Sequence, residues 1–389
     1  MNRRDFLKFT GLGMGLNLAG VGHSLSRPGE GYSGDRILLL VELNGGNDGL
    51  NTVVPYRDPN YYSLRPNIAI RKDQVLPLDQ NMGLHPALQP LMNCWDQQEL
   101  AIVNGVGYPE PNRSHFRSIE IWDTASGSDD VLQDGWVAQL LGNSSATSRS
   151  TDGIVIGRNA APLLGNQMRS VMMQSSKQFI EQSKRLRSTT VASGNAALSH
   201  ILGVQANIEQ TATDLKQRLQ QTVKTQTVFP RHRFGRDIKE AAGLIRAGIK
   251  VPVIKIAHGS FDTHANQVNQ HQRLLAQLAG GLAAFRAEMQ EAGLWDRVLV
   301  MTYSEFGRRA AENGSKGTDH GTAAPHFMLG GRVRGGFYGQ QPALDRLLDK
   351  DLQYAVDYRS LYATVAKQWW GLSGQIAQRR YPVLQNMIV

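Results

Sequence analysis

Apolar residues in this chain fall into a few short runs separated by polar or helically periodic stretches. Residues 36–43 (RILLLVEL) are nearly continuously apolar, the pattern of a strand covered on both faces. That run stops at Asn44-Gly45-Gly46-Asn47-Asp48-Gly49, a composition suited only to a loop. A second run, 100–106, leads through a polar loop at 108–113 into a predicted helix over 114–124. Residues 86–98 carry helical spacing, with Leu91 and Trp95 beside Cys94. The last third is the most regular. It predicts a helix over 237–247, a strand at 251–257 (VPVIKIA) and a long helix over 267–291 ended by Gly293. Strands at 297–303 (RVLVMTY) and 325–329 follow. Strand, helix, strand at this spacing is a βαβ unit, so these strands are expected to run parallel. Ligands gather at the carboxyl ends of such strands.

The middle differs in texture. Residues 166–226 are rich in Gln, Ser, Thr and Ala, with apolar positions at helical spacing (Leu198, Ile201, Leu202, Val204). A helical insertion over about residues 166–235 is expected there, not disorder. At the N-terminus, Asn2-Arg3-Arg4-Asp5-Phe6-Leu7-Lys8 precedes a mild apolar stretch at 9–21. The stretch is shorter than the roughly 20 apolar residues a span needs. Together they read as a twin-arginine signal over about residues 1–30, leaving 31–389 as a single exported domain, periplasmic or extracellular. No transmembrane helix is expected beyond the signal. The net charge of +9 raises a nucleic-acid reading, but Arg and Lys are dispersed and no basic run carries interleaved aromatics. Nucleic acid is therefore excluded as a partner. Cys94, the single cysteine, cannot form an intramolecular disulfide and reads as a buried, inert thiol.

Five polar clusters lie where the sheet would place a site. Asp262 and His264 follow the 251–257 strand two residues apart, so in extended backbone both side chains face one way. A carboxylate and an imidazole are a partial ligand set for zinc or a similar divalent metal; an Asx-turn ahead of the next helix is the competing role. Glu305 and Arg308 follow the 297–303 strand, where a loop ion pair would explain them equally well. Asp319 and His320 stand between glycines in the next loop. Arg113, Ser114 and His115 open the 114–124 helix. Ser114 is a natural N-cap, yet a hydroxyl at a helix N-terminus also suits attack on an anionic ester, with Arg113 binding its charge. Asn44, Asn47 and Asp48 close the first strand, where turn chemistry is the alternative.

The runs LVELNGGNDGLNTVVP, NRSHFRS, FDTHANQ, YSEFGRR, NGSKGTDHGTAAPHFMLGG and VRGGFYG resemble the exported DUF1501 family over about residues 37–371. That family is grouped by fold with the alkaline phosphatase and sulfatase superfamily. The resemblance implies an α/β three-layer sandwich with a mostly parallel central sheet and a helical insertion in mid-chain. It implies a divalent metal, zinc first and calcium, magnesium or manganese after it, at Asp262, His264 and His320. A second ion near Glu305 and Asp48 follows by the same likeness, as does Ser114 as nucleophile toward a phosphate or sulfate ester. Two positions depart from the superfamily pattern: Asn44 stands where a first-strand acid is expected, and Phe306 where a histidine is. Asn44, His115, Asp319, Arg308 and His85 are expected to hold ligands or substrate. The departures favour a second reading, a catalytically degenerate envelope binding or assembly protein working with a large exported DUF1800-type partner. A metal-free Ser-His-Asp hydrolase centred on Ser114 is a third.

Overall fold

The computed structural model describes residues 35–142, 149–165, 167–186, 195–222 and 225–389; the expected twin-arginine segment lies outside them. Among the described residues the main sheet has nine strands. They are β1 (Ile37–Leu43), β2 (Leu100–Gly107), β3 (Gly153–Ile156), β4 (Ser170–Met173), β5 (Val253–His258), β6 (Val298–Tyr303), β7 (Ala324–Leu329), β8 (Gly336–Tyr338) and β9 (Val356–Asp357). Across the sheet the order is β8-β2-β7-β6-β1-β5-β3-β4, with β9 also pairing β2. β1 lies between β5 and β6 and is parallel to both, with Leu38 opposite Val253 and Ile37 opposite Val298.

Alternation along β1 divides the core into two layers. Leu39, Val41 and Leu43 pack with Ile238 and Leu244 of α5 (Arg233–Arg246) and with Leu275, Leu278 and Phe285 of α6 (Gln267–Glu291). Leu38 and Leu40 share the opposite layer with Ile121 and Trp122 of α1 (His115–Thr124), Val137 of α2 (Trp136–Leu141) and Leu361 of α7 (Tyr358–Thr364). Aromatic stacking reinforces that second layer: Trp122 lies on Tyr358 with centroids 4.4 Å apart, and Trp136 on Tyr362 at 4.1 Å. The result is the expected mixed α/β sandwich with a mostly parallel sheet.

Three expectations need correction. β7 runs antiparallel to both β2 and β6, not parallel. Residues 304–323, which join it to β6, contain no helix to cross the sheet, so the chain turns back along the same edge. Residues 86–98 form a 3₁₀ turn over Pro86–Leu91 before a single α-turn at Met92–Asp96, because Pro90 sits inside the first segment. The mid-chain stretch does hold helices α3 (Ser176–Ser183) and α4 (Ala196–Gln221), but it also supplies β4, the outermost parallel strand. Four residues are too few to show a period. Cys94 is buried, as read, and burial pushes its thiol up to about 11. No helix of the described residues is long and apolar enough to cross a membrane.

Candidate metal centre

The reversal of β7 has a functional effect. It brings the ends of β1, β2, β5 and β6 and the start of β7 to one edge of the sheet, where all five polar clusters converge. Residues 304–323 fold there as a ribbon, with Arg308 bridging His320 and the Gly307 amide donating to the Thr322 carbonyl at 2.8 Å. Ser260 and Asn266, both at positive φ (80° and 46°), bracket the loop carrying Asp262 and His264. Such backbone is sparsely populated by non-glycine residues and gathers at functional sites. Gly45, at φ 115°, lets the first loop press against this one: a Cβ there would stand 2.5 Å from the Asp262 nitrogen.

At the meeting point, ligand atoms of His115, Asp262 and His320 all lie within 4.8 Å of one another. His320 Nε2 is 3.1 Å from Asp262 Oδ1, and His115 Nε2 is 3.4 Å from Asp262 Oδ2. His264 joins at the edge, its Nε2 2.9 Å from Asp262 Oδ1 and 2.9 Å from His320 Nε2. Ligands bound tetrahedrally at about 2.0–2.1 Å stand roughly 3.3 Å apart, so these spacings fit a zinc-sized ion.

The far side of each imidazole fits as well. His320 Nδ1 is 2.8 Å from the Arg113 carbonyl, which can only accept; that nitrogen carries the proton and leaves Nε2 with its lone pair. His115 Nδ1 is 2.8 Å from Glu305 Oε1, so its Nε2 is aimed at Asp262 in the same way. The Glu305 hydrogen bond raises the His115 pKa, against the pull of burial. Burial lowers His320, outweighing its bond to the Arg113 carbonyl and the nearby Asp262 carboxylate. Burial would raise Asp262, but the hydrogen-bonded Arg308 guanidinium, with His320 beside it, outweighs that and holds the carboxyl at about 2. Two imidazole nitrogens and an ionised carboxylate, with Asp262 44% exposed, could hold an ion and leave it a position open to solvent.

Other predicted residues support it from behind. Glu305, 1% exposed, is not a ligand as expected: Oε1 accepts from the Gly45 amide at 2.8 Å and from His115. Arg308 is buried and ties three loops together, donating to Asp262 Oδ1 at 2.6 Å and to the carbonyls of Gly45, Gly46, Phe261 and Thr318. Phe306 is a packing floor, its ring 4.9 Å from that of His115 and 4.5 Å from that of His320. Asp319 lies behind His264, 3.6 Å from its Nδ1. Asn44 is exposed and donates to Glu42 Oε1 at 3.0 Å.

Asp48 and His85 are not part of the group. Asp48 is fully buried: its Oδ2 is ion-paired to Arg65 at 2.7 Å and accepts from Gln267, and its Oδ1 faces the Asn51 amide at 3.4 Å. His85 accepts from the Ala87 amide through Nδ1 at 3.0 Å and caps the 3₁₀ turn. Arg113 gives the centre its carbonyl, while its guanidinium pairs with buried Asp351 at 3.0 Å. Ser114 begins α1 exposed, and its hydroxyl makes no cap bond. Its two neighbours in sequence both touch the centre.

Sequence reasoning missed Gln267, wholly buried, which bonds to Asp48 and accepts from Thr263 (3.1 Å) and Thr318 (2.7 Å). A glutamine directly after the Asp262–His264 loop was its only trace. His115 was noticed, but its place among the ligands was not.

In overall shape the chain is similar to several solved structures. One is a protein in the alkaline phosphatase superfamily from Vibrio parahaemolyticus: 13% identity, TM-score 0.41, 90% of this chain and 70% of that one covered. Another is the PsFucS1 sulfatase from Pseudoalteromonas sp.: 11%, TM-score 0.40, 90% and 70% covered. A third is the C-terminal periplasmic domain of EcEptC from Escherichia coli in complex with Zn: 10%, TM-score 0.39, 78% and 74% covered. No curated protein matches the chain. Its sequence, over residues 76–376, matches the family described as "Protein of unknown function (DUF1501)", and the chain belongs to that family.

Proposed function

We propose that this protein is an exported, metal-dependent hydrolase of phosphate or sulfate esters. The observation that carries the reading is the convergence of His115, Asp262 and His320, with the far nitrogen of each histidine held by an acceptor. These three residues would hold the ion, with His264 at their edge, and the nitrogen-rich donor set favours zinc. When bound, such a metal polarises an ester oxygen and lowers the pKa of a nearby hydroxyl. Ser114 supplies that hydroxyl. No cap bond occupies it, and the amides at the start of α1 favour an anionic group beside it. Arg308 keeps Asp262 ionised and oriented, and Glu305 holds the proton-bearing nitrogen of His115 away from the ligand side. The twin-arginine sequence supports delivery of this domain, already folded, to the envelope.

Elemental analysis of protein purified from cells tests the reading. The wild type should carry a divalent ion that Asp262→Ala and His320→Ala lose while remaining folded, and chelation should stop hydrolysis of aryl phosphates or sulfates. Protein without metal, whose stability and ester hydrolysis are both indifferent to chelator, would sink it. One observation favours the second reading, an envelope assembly protein with a DUF1800-type partner. Phe306 lies against His115 and His320, Glu305 Oε1 is engaged by His115 and the Gly45 amide, and Asp48 is ion-paired to Arg65, which supports a site without a second ion. That reading requires a metal-loaded protein without hydrolysis and a partner complex that survives Ser114→Ala.

A further inference from the structure

Beneath α1, the face of the sheet turned toward that helix holds a cluster of ionisable groups that the proposed chemistry does not use. Glu42 (β1), Lys255 (β5), Tyr303 (β6) and Asp123 (α1) are each no more than 3% exposed. Lys255 Nζ is ion-paired with Glu42 Oε2, and Glu42 Oε1 accepts from Asn44. Tyr303 Oη lies 3.3 Å from Glu42 Oε2 and also 3.3 Å from Asp123 Oδ1. Asp123 Oδ2 accepts from Asn159 at 2.9 Å.

Counting hydrogens decides the protonation state. A phenol has one proton to give, so Tyr303 can donate to only one of the two carboxylates. The other contact is a hydrogen bond only if that carboxyl itself carries a proton. Glu42 already accepts from an ammonium and an amide, which stabilise its charge; among the described residues no cation is bonded to Asp123. The remaining groups near Asp123 do not change this. From α7, Tyr362 gives its proton to the Trp122 carbonyl at 2.9 Å, and the single proton of Tyr358 is held between the Ile121 and Ser126 carbonyls, each 2.9 Å away, so neither phenol serves Asp123. Asp123 also lies in the last turn of α1, where the helix dipole disfavours a negative charge. With a proton on Asp123 the cluster is neutral; without it, a net negative charge is buried, which is costly.

We propose that Asp123 is a positioning residue that keeps a proton in the folded protein, donates it to Tyr303 and so fastens α1, the helix that carries Ser114 and His115, to the sheet. The electrostatics agree: burial, with Glu42 adding to it and Lys255 only partly offsetting it, pushes the Asp123 carboxyl up to about 7 from its ordinary 3.8. Over that window the folded state binds one proton more than the unfolded state, so stability falls as pH rises.

Asp123→Asn tests this in the full chain. An amide donates to Tyr303 and accepts from Asn159, reproducing the protonated acid at every pH. The wild type should lose about tenfold in its folding equilibrium per pH unit within that window, relative to the variant. Above about pH 8 the variant should be the more stable of the two, and exchange of the α1 amides should lose its extra acceleration with pH. Infrared spectra of the wild type near pH 6 should contain the carbonyl stretch of a buried carboxylic acid, absent from the variant. Equal pH dependence in both proteins, a variant that fails to fold, or a wild-type spectrum lacking that band each overturns the proposal. None of these measurements requires bound metal, so their failure is separable from failure of the proposed function.

Discussion

Glu305 sets the aim of His115 without touching the metal position. Its replacement by glutamine keeps the shape and removes the charge that holds the His115 proton on Nδ1. Glu305→Gln should therefore lower zinc affinity roughly 10–100-fold, as losses behind a ligand histidine do. Its unfolding midpoint should move little; competition with a chromogenic chelator gives the affinity. The same hydrogen bond predicts a pH effect. Zinc can take His115 Nε2 only from the neutral ring, and Glu305 raises that ring's pKa above the ordinary 6.5. Zinc affinity should keep rising with pH beyond about 6.5, and a flat profile from about pH 6 to 8 would contradict the assignment of His115 as a ligand. Gly46 offers a third test at this scale. It has φ 76°, and a Cβ there would stand 2.4 Å from the Phe306 ring. Gly46→Ala should cost at least 1–3 kcal/mol, roughly, in thermal unfolding, and weaken zinc binding because Phe306 packs on His115 and His320.

Single elements contribute little to the centre; their ends contribute nearly all of it. Gln267 at the start of α6 stitches together the loops after β1, β5 and β6 through Asp48, Thr263 and Thr318. Gln267→Ala strands those buried groups and should destabilise by about 1–3 kcal/mol in urea unfolding. A change below about 0.5 kcal/mol would mean the stitching is incidental. How much of this was legible in sequence follows from what a pattern can record. β1, β5, β6 and α6 stood out because their apolar spacing is long enough to show a period. β3 and β4 did not, at four residues each, and the reversal of β7 left no mark because alternation has no direction. Asp262, His264 and His320 were legible from their motifs. The closeness of His115 to Asp262 left no mark in the sequence, because the aim of a residue at the start of α1 depends on tertiary packing. Asp48 was misread because Arg65, which claims it, arrives only through tertiary packing. Lys255 inside VPVIKIA was an overlooked clue: a charge in a buried strand requires a buried partner.

For the whole molecule, pH should narrow stability from two sides. Asp48 would be raised by burial, but Arg65 and its hydrogen bond outweigh that and lower it below 3.8. The stability it contributes is present above that value and is lost as pH falls toward the lowered one. Arg65→Met, which leaves Asp48 charged and buried, should cost roughly 3–5 kcal/mol at neutral pH, with the gap to wild type narrowing in acid. Denaturant unfolding at both pH values measures it, and a gap that stays constant would remove Asp48 from the account. The strand order has a further consequence, for synthesis. β1 is the first strand of the sheet to leave the ribosome, yet the register pairs Leu38 with Val253 and Ile37 with Val298. Both of its edges are paired only once residues 253–258 and 298–303 exist, about three-quarters of the way along the chain, and chains stopped short of residue 298 should remain protease-sensitive. Under the proposed export route, a translocase that accepts only finished cargo would meet the N-terminal twin-arginine sequence long before the cargo was ready. Export timing would be governed by when the C-terminal third docks, not by when the address appears.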